Sequence, residues 1–195
     1  FTSLSGTDEG PTNADPFAVS FGGAAWVFWS TDSENLSTGV DLDIVARRFA
    51  SGSWNATVTE ISAITDTGDD TGAAALVTGG SLVLAWISSS PEYSDGADSD
   101  VVMAIFDGAA WSSPLDISGA DGDRNDGGGL TSRKPALAYY NEAPYYDETL
   151  FIVWETNARP LLTVTVSTWL AVNTCQFTGR AVEGYYMILV PAAVV

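Results

Sequence analysis

The chain has 195 residues, 25 acidic and 7 basic, for a formal net charge of −18. Such a field repels nucleic acid and anionic lipid surfaces, so neither is expected as a partner. With no histidine and a single cysteine, Cys175, the sequence excludes Ser-His-Asp and Cys-His catalysis, His-ligated zinc, an intrachain disulfide and a cysteine-held metal cluster.

The composition, 46% hydrophobic and 11% aromatic, is that of a chain with a core rather than a disordered one. It begins at Phe1 rather than Met, as expected of a mature form, a fragment or an excised domain. The first strand is predicted over Phe17 to Phe21, a turn at Gly22-Gly23, and a second strand over Ala25 to Ser30. A long polar loop follows, then a third strand over Asp43 to Phe49, a turn at Ser51-Gly52-Ser53 and a fourth strand over about Asn55 to Ile61. β-Branched and aromatic residues dominate these runs, and no 3.6-residue period competes with them. Asn35-Leu36-Ser37 and Asn55-Ala56-Thr57 carry the N-glycosylation acceptor pattern, which is short enough to arise by chance.

The same plan then repeats. A shift of 57 residues carries Trp29 to Trp86, Asp41 to Asp98, Asp43 to Asp100, Phe49 to Phe106, Trp54 to Trp111 and Gly22-Gly23 to Gly79-Gly80. One residue is then lost, so that Glu60-Ile61-Ser62 meets Asp116-Ile117-Ser118. A third copy begins with Pro135-Ala136-Leu137-Ala138, which matches Pro16-Phe17-Ala18-Val19, and continues into the strand ending at Trp154. After Trp154 the acidic loop is missing, although Thr163 to Ser167 still alternates like a strand. The units are expected at about 13–62, 71–118 and 132–157 onward, within a repeat region of 1–157. Residues 158–195 form a divergent β segment, expected as a cap or a partner-contacting strand. No run approaches the roughly 18 apolar residues of a membrane span, and the longest candidate, Tyr185 to Val195, is broken by Pro191. Four short strands per repeat of this length suggest a β-propeller-like array of about three four-stranded blades, with a β-sandwich as the alternative fold for the same hairpins.

The run from Ala25 to Asp32 (Ala-Trp-Val-Phe-Trp-Ser-Thr-Asp), the run from Ser37 to Ile44, Arg47 and Trp54 resemble the tandem repeats of sialidase-like propellers of the BNR or Asp-box type. The second unit adds Asp98-Ser99-Asp100-Val101 and the turn Phe106-Asp107-Gly108-Ala109-Ala110-Trp111-Ser112. The resemblance covers about residues 13 to 157. It implies a secreted or cell-surface protein whose turn aromatics, Trp54 and Trp111, fold back over their own blade edge. It also implies the family's glycoside hydrolase as an alternative function. That chemistry needs three arginines on a carboxylate, a Tyr–Glu pair and an acidic proton donor. Ser132-Arg133-Lys134-Pro135 echoes the family's arginine motif only faintly, and Arg47 and Arg48 have no counterpart at 104 or 105.

The tryptophans at equivalent strand ends, Trp29, Trp86 and Trp154, are read as packing between successive blades rather than as sugar platforms. The acidic loops are the better candidates for a site. Asp32, Asp41 and Asp43 surround the first, Asp95, Asp98 and Asp100 the second, and Asp121, Asp123, Asn125 and Asp126 open the third unit. Alternating Asp and Asn oxygens near a glycine turn suit Ca²⁺, which takes six to eight hard oxygen ligands. In the last run the turn glycine, Gly127, stands one place late for an EF-type loop. The favoured function is thus a structural, adhesive or ligand-binding module without catalysis, with glycans among its candidate ligands. Dividing 195 by 57 gives roughly 3.4 units, whereas propellers close with about four to eight. Further blades, a second copy or another surface protein is therefore expected to complete the structure, unless the segment from Leu161 to Val195 caps it.

Overall fold

Alternating β-branched and aromatic runs, punctuated by glycine turns, fold locally into antiparallel hairpins whose apolar faces must then find one another. The computed structural model describes residues 4, 12–33, 41–62, 67–78, 80–93, 99–118, 134–142, 146–155, 165–168, 175–178 and 185–191. The described residues are all β, in antiparallel sheets, and contain no helix. Consequently no helix there is long and apolar enough to cross a membrane.

The first sheet runs β1 (Asn13–Phe21), β2 (Ala24–Thr31), β3 (Asp43–Ala50) and β4 (Ser53–Trp54), with β5 (Thr59–Glu60) also paired to β3. Gly22 and Gly23 make the two-residue turn between β1 and β2 with φ of 58° and 71°, left-handed values that glycine adopts without strain. The predicted fourth strand, Asn55 to Ile61, does not form as one piece. β4 pairs at the far end of β3, Phe49 with Trp54, and β5 near its start, Val45 with Glu60. The Asn55 amide still bonds the Arg48 carbonyl at 2.8 Å, but no ladder continues from there to Val58. The hairpin turn and the strand's return to β3 therefore fall at different places, and the chain bows out between them.

The second sheet repeats this plan in β6 (Asp70–Thr78), β7 (Ser81–Ser88), β8 (Asp100–Phe106) and β9 (Leu115–Asp116). The copy extends to irregularities. Each first strand carries a bulge, between Ala14 and Phe17 in β1 and between Thr71 and Ala74 in β6. The left-handed residues there, Asp15 (φ 52°) and Gly72 (φ 64°), are 57 apart. The bridge of Phe106 to Trp111 likewise repeats that of Phe49 to Trp54. In the third sheet β10 (Ala136–Glu142) pairs with β11 (Tyr146–Glu155), and Ala136 stands opposite Val153 as Phe17 stands opposite Phe28. The chain then makes a separate two-stranded ribbon, β12 (Thr165–Thr168) and β13 (Cys175–Thr178). It returns as β14 (Tyr185–Pro191), which pairs with β11 along its length. β14 thus takes the place beside the second strand that β3 and β8 hold in the other two sheets.

The sheets pack front to back. Trp26, Phe28, Ile44 and Ala46 from one face of the first sheet meet Leu82, Leu84, Trp86, Val102 and Ala104 from the second. A shift of 57 carries Leu82, Leu84 and Trp86 back to Ala25, Val27 and Trp29. These lie on the opposite face of β2 from Trp26 and Phe28, because neighbouring strand residues alternate. One kind of face therefore meets the other kind, with Trp86 as the packing residue expected of it. Trp111 adds to this core edge-on, its ring 6.2 Å from Trp26 and 6.1 Å from Phe28. It reaches across to the first sheet as well as resting on its own Phe106. Trp54 stays at home against Phe49, at 5.1 Å. Val83, Ala85, Val101 and Met103, on the other face of the second sheet, are buried too, as are Leu150 and Ile152 of β11.

The first strands β1, β6 and β10 lie side by side along one edge of this stack. There the three matched positions 15, 72 and 134 come together. Lys134 Nζ lies 3.6 Å from Asp15 Oδ1 and 5.8 Å from the Phe17 ring centre, and a side chain on Gly72 would touch Lys134 at ordinary van der Waals distance. The limit at position 72 is thus backbone, not space. Gly72→Val should cost about 1–3 kcal/mol because a branched residue is strained at this φ, whereas Gly72→Asn should cost distinctly less. Melting temperatures of the two variants, read against the unchanged chain, check the ranking.

Candidate functional site

The acidic residues gather where second strands end and third strands begin. Asp43 opens β3 and Asp100 opens β8, and both are buried. Each belongs to the same four-part clamp. The Ile44 amide donates to Ser62 Oγ at 2.8 Å, and that hydroxyl donates to Asp43 Oδ1 at 3.4 Å. In the copy, the Val101 amide donates to Ser118 Oγ at 2.7 Å, which donates to Asp100 Oδ1 at 3.2 Å. Ile61 and Ile117 complete the clamps by donating to the carbonyls of Ile44 and Val101, both at 2.9 Å. A serine arriving from the end of the repeat thus fixes the start of its own third strand. The carboxylate, buried away from water, thereby gains a hydrogen-bond donor within the protein.

The neighbouring carboxylates are engaged in the same manner. Asp32 Oδ1 accepts the Thr12 amide, Asp69 Oδ1 the Leu42 amide at 3.0 Å, and Asp116 Oδ1 the Ser118 amide at 3.0 Å. Asp70, fully buried, takes the indole N–H of Trp86 at 3.0 Å. Its own amide bonds the Leu42 carbonyl, so the clamp region of the first sheet is tied to the first strand of the second. Asp41 is buried on the approach to β3. Of the residues expected to bind calcium, then, Asp32, Asp41, Asp43 and Asp100 sit at two such strand junctions. Asp95, Asp98, Asp121, Asp123, Asn125 and Asp126 lie outside the described residues. Among the described residues no group of three or more His, Cys, Asp or Glu is gathered in a way that could hold a metal ion.

Arg47 and Arg48 are adjacent on β3 and therefore leave it on opposite faces. Arg48 lies over the Trp26 ring, its guanidinium carbon 5.8 Å from the ring centre. Arg47 donates from Nε to the Asn55 carbonyl at 3.0 Å and from Nη1 to the Leu4 carbonyl at 3.1 Å. These two do not converge on one point. Arg133 lies outside the described residues, as does Asn35 of the first sequon, whereas Asn55 of the second is exposed.

One hollow, of about 180 Å³, opens on the outer face of the first sheet. It is lined by Leu4, Asn13, Ala14, Pro16, Val27 and Trp29. Trp29 is buried, yet its indole N–H has no acceptor among the described residues. Its copy Trp86 is satisfied by Asp70, and at the matching position the first sheet has Asn13. The Asp70–Trp86 pair and the two Asp–Ser clamps were not singled out from sequence. The signal that points to the clamps is the recurrence of an Asp at each third-strand start and a Ser at each repeat end, Asp43 with Ser62 nineteen residues on and Asp100 with Ser118 eighteen residues on.

The turn after β8 is built on Asp107. Its Oδ1 accepts the amides of Ala109 and Ala110, both at 2.8 Å, while Gly108 turns left-handed at φ 100°. No protein-family model and no curated protein sequence matches the chain.

The Ala110 amide first, and the Ala109 amide second, hold the Asp107 carboxyl below its ordinary value of 3.8. A carboxyl depressed on folding adds stability above its unfolded value and surrenders it as pH falls through the folded value. The stability advantage of the unchanged chain over Asp107→Ala should therefore be constant from neutrality down to about pH 4 and shrink below it. Denaturant midpoints of both chains at several pH values measure this, and a gap that widens on acidification contradicts it.

Proposed function

We propose that the chain is a non-catalytic β-propeller-type module of a secreted or surface protein, with structural, adhesive or ligand-binding duty. The observation that carries this reading is the second sheet, which buries both of its faces and meets the first sheet front to back. A two-layered sandwich buries one face of each sheet, whereas blades in a propeller array repeat a single front-to-back contact. The matched bulges of β1 and β6 and the adjacency of β1, β6 and β10 support the same arrangement, with the first strands innermost. The turn from Asp107 to Ser112, held by a carboxylate at its head and a tryptophan at its foot, supports the likeness to Asp-box repeats. Completion of the array is assigned to further blades, a second copy or another surface protein, and glycans are the first ligand class to try.

Incubation with aryl sialosides and a panel of other aryl glycosides tests the absence of catalysis. No release of the aryl group, together with retention of the chain on a glycan array, is the expected result. Turnover abolished by Arg133→Ala would instead establish the hydrolase.

Calcium bound at the acidic loops is part of this proposal. A ligand that prefers the folded state raises its stability by mass action. Millimolar Ca²⁺ should therefore raise the melting temperature, Mg²⁺ should raise it less, and a chelator should reverse the gain. A melting temperature indifferent to all three leaves those carboxylates as strand-end acceptors alone.

A further inference from the structure

The outer face of the first sheet has the same plan as the face of the second sheet that packs in the core, but not the same side chains. Leu82, Leu84 and Ala104, each buried against the first sheet, correspond to Ala25, Val27 and Arg47. Ala25 is exposed and Val27 half-buried, so this face is smaller and more polar than its buried copy. What lies on it is Leu4, which forms one wall of the hollow beside Val27 and Trp29. The Leu4 carbonyl receives Arg47 Nη1, and Arg47 Nε is already committed to Asn55.

Arg47 decides what this face accepts. A guanidinium carries five N–H donors and loses heavily if buried without acceptors. The face of another β-sheet offers side chains, its carbonyls being spent in its own ladder. A peptide segment outside a ladder keeps carbonyls to spare, and the Leu4 carbonyl, which belongs to no described strand, is one that Arg47 takes. We propose that the outer face of the first sheet is a peptide-docking groove whose occupant is the segment containing Leu4, bound in cis within one chain and exchangeable with the same segment of a second copy. Leu4 contributes the apolar side chain beside Trp29, and its carbonyl contributes the acceptor for Arg47.

The test uses the full chain carrying Leu4→Asp and a synthetic peptide of residues 1–11. Acrylamide quenching reports on Trp29, whose share of the fluorescence is isolated by Trp29→Phe in each background. Leu4→Asp should make Trp29 more quenchable, and the peptide should restore protection along a saturable curve. The same peptide should leave the quenching of Trp29 in the unchanged chain as it is, because there it can only replace an identical occupant. Adding Arg47→Met to Leu4→Asp should raise the half-saturating peptide concentration by about tenfold or more, the usual weight of a hydrogen bond from a charged group. If Leu4→Asp fails to fold, by far-ultraviolet circular dichroism, Leu4→Ala replaces it with the same readouts. Unaltered quenching of Trp29 in the Leu4 variant, or no protection by added peptide, overturns the proposal.

Discussion

Trp26 and Phe28 on one sheet, against Leu82, Leu84 and Trp86 on the next, form the contact on which the remaining structure depends. Removing each such side chain from water contributes about 1.5–3 kcal/mol, and the aromatic rings add edge-on and stacked contacts with preferred geometry. A hairpin pair has no stability of its own in water. Only when one sheet's face is laid on another do the strands become worth ordering. Because the contact uses one face of each sheet, each sheet placed in it still presents its second face. The second sheet shows the consequence, with most residues of β7 and β8 buried, on both faces.

Burial on both sides creates a second demand, which the aspartates meet. A strand start enclosed between two sheets has amides and hydroxyls that water no longer reaches, and each orphan costs about 1–3 kcal/mol. Asp43 and Asp100 take the hydroxyls of Ser62 and Ser118, and Asp70 takes the Trp86 indole. Acidity in this chain is thus partly an internal device. Lysine or arginine could not replace these residues, since neither accepts a hydrogen bond.

The fold was largely legible because a repeat doubles every signal. Trp29 and Trp86, or Gly22-Gly23 and Gly79-Gly80, count little singly, but at one offset they fix strand order and turn position together. Three features escaped for physical reasons. The fourth strand reads as one run because Thr57, Val58 and Thr59 favour extended backbone, and whether that backbone pairs depends on where β3 lies beside it. The third strand of the third sheet is legible as a strand from Tyr185 to Val190, but its partner, β11, lies across the β12–β13 ribbon, and no local pattern encodes that distance. Serine as the hydroxyl of a clamp is the least visible, since Ser62 and Ser118 look like loop residues until the strand start, 19 positions earlier for Ser62 and 18 for Ser118, is seen beside each.

Departures from the repeat are more informative than its matches. Where two copies share a residue, as at Trp29 and Trp86, the shared packing position explains it. Where they differ, the surroundings must differ. Trp86 has Asp70 beneath it and lies wholly enclosed between sheets; Trp29 has the exposed Asn13 nearby and a hollow beside it. Ala104 fits a closed apolar seam, and Arg47 at the same position reaches for carbonyls. Asp15 and Gly72 share a left-handed bulge, yet only Asp15 offers a charge to Lys134 from the third sheet. Because that pair is more than a third exposed on both sides, its energy is small, and its value is in register: it joins the first sheet to the third across the second. The repeat thus supplies the shape of each sheet, and the residues that break the repeat supply each sheet's place in the order.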